Sequence, residues 1–104
     1  MKQYYEGNVM SLEYHDGMMD TYVVEPHVKL YQNRLKRWVY LESHDLPNTK
    51  EEAYDAFFDA FHKSNGGLLQ YYITYLDESS IQEIPMTKQE AKTLRKQYQR
   101  QHKK

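Results

Sequence analysis

The C-terminal end of this chain concentrates one kind of chemistry. Lys88, Lys92, Arg95, Lys96, Arg100, Lys103 and Lys104 stand there against the single acid Glu90. Cations at this density neutralise phosphates, and Gln89, Gln97, Gln99 and Gln101 among them can hydrogen-bond sugar or base edges. On a helix they ring the cylinder and point away from the rest of the chain. Two other readings compete. The segment can be a solvated terminal helix whose cations complement its own C-terminal dipole or pair with acids elsewhere, or it can dock on an acidic protein. The charge balance sharpens the question. Residues 1–87 carry 7 Lys+Arg and 14 Asp+Glu, a net of −7, while residues 88–104 carry +6. The overall −1 conceals an acidic body with a basic end.

A second basic cluster, Arg34, Lys36 and Arg37, runs into Trp38, with Tyr31 and Tyr40 beside it. Cations interleaved with rings suit a single-stranded nucleic acid, because rings stack bases while cations hold phosphates. Rings on strands, however, usually serve as core or cross-strand pairs, and Trp38 is expected to pack under a helix.

Acids offer the opposite chemistry. Glu51, Glu52, Asp55 and Asp59 recur at helical spacing. In a pocket that shifted their pKa values they could do acid–base work; on a solvent face they only solubilise. A body of net −7 can also imitate a nucleic-acid backbone and occupy a basic groove, as small phage and mobile-element inhibitors do as a class. Glu51, Asp55 and Asp59 would then be the protein-binding residues.

Other chemistry is thinly supported. His15-Asp16 and His44-Asp45 would make a metal site only if both loops met in space, since adjacent side chains point apart. No other histidine has a partner at ligand spacing, so no metal and no cofactor is expected. Ser11, Ser43, Ser64, Ser79 and Ser80 lack a nucleophile-elbow context. Gly66-Gly67 is not followed by Lys-Ser/Thr, so there is no phosphate loop. The chain has no cysteine, which excludes disulfides, thiolate zinc sites and thiol catalysis.

These residues must be positioned by elements that the sequence marks clearly. Thr49 to Ser64 opens with a capping box, Thr49 and Glu52, and ends at Gly66-Gly67. Ala53, Phe57, Ala60 and Phe61 form its apolar face, flanked by Tyr54 and Phe58, and hold all three phenylalanines of the protein. Before it, Val9 to Tyr14, Met18 to Tyr31 and Leu35 to Ser43 read as a three-stranded meander. Asp16-Gly17 makes the first turn and Pro26 bends the second strand or holds it at an edge. Residues 1–7 read as a loose or edge segment. Leu68 to Leu76, apolar or aromatic on both faces, reads as a central strand; Asp77 to Ser80 is expected to turn, with a short extended segment from Ile81 to Met86. Thr87 and Glu90 cap a second helix whose apolar stripe is only Ala91, Leu94 and Tyr98.

The expected fold is therefore α+β in a single domain of 104 residues. About four antiparallel strands carry a central amphipathic helix on one face and a peripheral basic C-terminal helix. Removing residues 88–104 is expected to spare the fold. No window approaches 18 apolar residues and the N-terminus has no signal-type apolar region, so a soluble, cytoplasmic chain is expected. The expected function is that of a small, tyrosine-rich, non-enzymatic regulatory or accessory binding protein, contacting nucleic acid through the basic helix. An acidic protein-binding inhibitor is the alternative, and a small metal-dependent or acid–base enzyme comes third.

Overall fold

Six elements make up the chain: β1 (Tyr4–His15), β2 (Met18–Gln32), β3 (Trp38–Tyr40), α1 (Lys50–Lys63), β4 (Gln70–Ile84) and α2 (Lys88–His102). The structure, a computed structural model, describes residues 3–102; Lys103 and Lys104 lie outside the described residues. The strands form one curled antiparallel sheet in the order β3-β2-β1-β4, and the architecture is α+β.

Asp16 and Gly17, with φ of 47° and 84°, close the β1–β2 hairpin as an Asp-Gly turn should. The ladder of β2 with β1 is interrupted at Pro26, which cannot donate to it. The register of β2 against β1 shifts between Gly7 and Met10, with His27 at φ 56°. Asn8 spans the irregularity, its Oδ1 accepting from the His27 N–H at 3.2 Å.

Four local expectations need correcting. Tyr4 to Gly7 is not loose but opens β1, the strand that pairs on both sides. Gly7 permits this, because a Cβ there would meet Ile81 Cγ1 at 3.1 Å and Leu30 and Leu76 Cδ1 at 3.4 Å. The third strand shrinks to Trp38–Tyr40, because the Asn33 side chain accepts from the Leu35 and Arg37 amides and Lys36 adopts φ 63°. β4 is an edge strand, not a central one, and it runs through Asp77–Ser80 without turning back. Residues 78–81 bulge out of the ladder: Glu6 pairs with Gln82 but Asn8 with Asp77. The Ser80 hydroxyl stabilises the bulge by accepting from the Asn8 amide at 2.8 Å and donating to the Asp77 carbonyl at 2.6 Å.

A compact chain of this length has a radius of gyration of about 13 Å. The observed value is 16.1 Å, with extents of 50 × 33 × 23 Å. Strands of up to 15 residues impose that length, so apolar burial divides along them. One cluster joins Leu12, Ala53, Phe57 and Tyr75, under α1 as expected. The other joins Tyr4, Leu41 and Ala91, with Leu94, Tyr31, Ile84 and Met86 around it, under α2.

Candidate nucleic-acid interface

α2 is placed by its cap and by one apolar stripe. The Thr87 amide donates to Glu90 Oε1 and the Glu90 amide to Thr87 Oγ1, both at 3.1 Å, completing the capping box. Ala91 is buried, and Leu94 and Tyr98 are half-buried. At about 100° per residue, Lys88, Lys92, Arg95, Lys96 and Arg100 fall within an arc of about 140° beside that stripe. The cations thus form one face rather than a ring. Lys88, Lys92, Lys96 and Arg100 are exposed, and none forms an ion pair among the described residues. Arg95 differs: its guanidinium sits 5.8 Å from the Tyr31 ring centroid and its Nη2 is 3.3 Å from His44 Nδ1. It tethers the helix to the sheet and to the β3–α1 loop.

The second basic cluster stands apart from this face. Arg34, Lys36 and Arg37 are exposed on the β2–β3 loop, and Arg37 Nη2 donates to Glu52 Oε1 at 3.3 Å at the start of α1. Trp38 packs edge-on against Tyr5, centroids 5.0 Å apart, rather than under a helix. With Lys36, Arg37, Gln32 and Thr49 it lines a cavity of about 260 Å³.

The acids of α1 have separate tasks. Glu52 accepts from the Thr49 amide at 2.9 Å, which, with Arg37 nearby, holds its carboxyl below the ordinary range. Asp59 pairs with Lys63 at 3.0 Å. Glu51 and Asp55 are exposed along the same side as Asp59 and beside Phe58, which is 48% exposed. Glu6 on β1 accepts from Lys29 Nζ at 2.8 Å, and that bond keeps its carboxyl below the usual value.

The two His-Asp pairs occupy distant places. His15 ends β1, whereas His44 adjoins Arg95 on the helix that covers Tyr4 at the other end of that strand. Within the first pair the side chains do meet, His15 Nδ1 lying 3.3 Å from Asp16 Oδ2, because the left-handed Asp16 turns its side chain back. Among the described residues no group of three or more His, Cys, Asp or Glu could hold a metal ion. No helix among them is long and apolar enough to cross a membrane.

A cleft that sequence spacing did not reveal lies between β2, the β3–α1 loop and α2. Glu25, Glu42 and Asp45 line it with Tyr40 and Tyr98, around about 350 Å³. Its residues come from separate elements, so no local pattern announces them. Burial, reinforced by Glu25 and Asp45, pushes the Tyr40 hydroxyl up to about 12 from an ordinary 10.0. Above pH 10 the unfolded chain loses that proton while the folded chain keeps it, so stability is full below about pH 10 and falls as pH climbs toward 12. Tyr40→Phe should flatten this alkaline fall in urea titrations. Tyr22, raised by its bond to Glu13, and Tyr75, raised by burial, retain part of it. An unchanged slope would mean that Tyr40 titrates as an exposed phenol.

Comparison with protein-family models, with curated proteins and with solved structures finds no match. The reading of the site rests on its own chemistry.

Proposed function

We propose that this chain is a small, non-enzymatic binding protein of regulatory or accessory type that contacts nucleic acid through the exposed face of α2. One observation carries the reading. Lys88, Lys92, Lys96 and Arg100 share an arc, face solvent and find no ion-pair partner among the described residues, although the preceding 87 residues have a net charge of −7. Cations that served only to neutralise the body would be drawn into pairs with it. These remain available, and each phosphate they neutralise releases condensed counterions, which drives association. Arg34 and Lys36 supply a separate, weaker contact; Arg37 is already engaged by Glu52. A cytoplasmic setting accompanies this proposal, since nucleic acid is accessible there.

The test is a gel-shift titration at several salt concentrations with duplex and single-stranded probes. Four contacts give a log–log slope of about −3 to −4, and Lys96→Ala should reduce its magnitude by about 0.7–0.9. Replacing Lys88, Lys92, Lys96 and Arg100 together by alanine should abolish binding. Absence of any shift at low salt with DNA and RNA would overturn the proposal.

The alternative is a protein-binding inhibitor, favoured by the exposed stripe of Glu51, Asp55 and Asp59 beside Phe58. A basic partner would lose affinity on Glu51→Lys and Asp55→Lys and would ignore the α2 alanine set.

A further inference from the structure

The outer edge of β2 from Met18 to Val24 is open. β3 pairs with β2 only from Leu30 to Gln32, and among the described residues no strand pairs with the earlier part on that side. The opposite edge of the sheet is covered in its middle. There the Leu76 amide donates to the Asn48 carbonyl and Asn48 Nδ2 donates to the Thr74 carbonyl, both at 2.9 Å, and the bulge of residues 78–81 interrupts the edge beyond. Strand edges left open in natural proteins carry lysine, proline or a bulge that blocks pairing. Met18–Val24 contains no lysine, arginine or proline, and Asp20 is its single charge. Met18 is 69% exposed, and Met19, Tyr22, Val23 and Val24 are exposed with it. Its ladder with β1 is regular from Met18 to Val23, a run that includes Met18, Met19, Tyr22 and Val23.

We propose that this edge pairs antiparallel with the same edge of a second copy of the chain, producing one eight-stranded sheet across a two-fold axis at Thr21. The reasoning is independent of the nucleic-acid reading. The turn at Asp16-Gly17 bounds the open edge on one side and the irregularity at Val24, the last residue of the open stretch, bounds it on the other. Full overlap of seven residues then sets Thr21 against the partner's Thr21, Asp20 against Tyr22, Met19 against Val23 and Met18 against Val24. The methionines meet valines, and no like charges are opposed. Moving the axis to between Tyr22 and Val23 would set Asp20 against Glu25, a like-charge pair that destabilises a ladder. A two-fold interface requires a surface complementary to itself, and this register supplies it. Seven residues of ladder form a contact smaller than the roughly 800 Å² per partner of a standard interface, so the dimer is weak and reversible.

Sedimentation equilibrium of the full chain from about 1 μM to about 1 mM should show the mass rising from monomer to dimer. The double variant Met19→Lys, Val23→Lys opposes lysines at four cross-axis positions and should weaken association about tenfold or more. Met19→Lys with Val23→Glu places opposite charges at the same positions and should restore it, which a general loss of apolar surface would not do. Because the chain has no cysteine, Thr21→Cys introduces one thiol. On the axis the two Cα atoms stand about 4.5–5.5 Å apart, within disulfide reach, so mild oxidation should yield dimer. Met18→Cys, though more exposed, places its thiols about 20 Å apart along the strands and should remain monomeric. A chain monomeric at every concentration, equal behaviour of the two charge variants, or equal cross-linking at the two positions overturns the proposal.

Discussion

Phe57→Ala should lower the stability of this protein by about 3–5 kcal/mol, while Lys96→Ala leaves it unchanged. Phe57 is 2% exposed and sits at the centre of an aromatic cluster, with ring centroids of Tyr14, Phe58, Tyr71 and Phe61 at 5.2, 5.2, 5.8 and 6.1 Å. Truncation to alanine removes the ring shared by α1, β1 and β4, and these rigid neighbours cannot all collapse onto the gap. The melting temperature should drop by roughly 15–30 °C, which calorimetry or circular dichroism would read directly. Equal melts for the two variants would refute the placement of α1 over the sheet.

Ending the chain after Met86 should cost about 2–4 kcal/mol while leaving the rest of the fold in place. The helix covers Tyr4 and Leu41, both buried, and shields Tyr31 and Ile84 through Ala91 and Leu94. Its loss uncovers one end of the central strand β1. The entropy of ordering 15 residues is recovered at the same time, so the net effect stays below the sum of the exposed areas. Urea titration should show a lower midpoint, and the m-value should fall because less surface is exposed on unfolding. An unchanged midpoint would mean that Ala91 and Leu94 contribute no packing. Truncation therefore confounds binding with folding. The alanine set at Lys88, Lys92, Lys96 and Arg100, all exposed side chains that leave Ala91 and Leu94 in place, separates them.

Both helices were legible in the chain because their signals are local. Thr49 and Glu52, then Thr87 and Glu90, each form a capping box within one turn, and both boxes are present in full. The apolar stripe of α1 places Ala53 and Phe57 inside by period alone. Asp16-Gly17 turns the first hairpin because two adjacent positions need positive φ. The exposed cations of α2 were likewise visible by type and spacing. Their confinement to one arc follows once the helix is granted.

What tertiary structure decided is which neighbours each strand acquired. Leu68 to Leu76 looked central because both faces are apolar, yet β4 lies at an edge. Tyr75 is buried under α1, Leu76 is buried on the opposite side where it approaches Gly7, and Tyr72 is left 71% exposed. Asp77–Ser80 has turn residues, but pairing of Asp77 with Asn8 and of Gln82 with Glu6 carries the strand onward, with residues 78–81 as a bulge. Arg95 belongs by spacing with the other cations, and only its contacts with Tyr31 and His44 separate it from them. The acidic cleft joins Glu25, Glu42 and Asp45 to Tyr40 across elements that meet only after folding. Caps, turns and amphipathic periods are set by residues a few positions apart, which a linear sequence displays. Strand order, edge exposure and clefts depend on pairings across as many as 80 positions, such as Tyr4 with Ile84, whose partners are chosen by the packing of the whole chain.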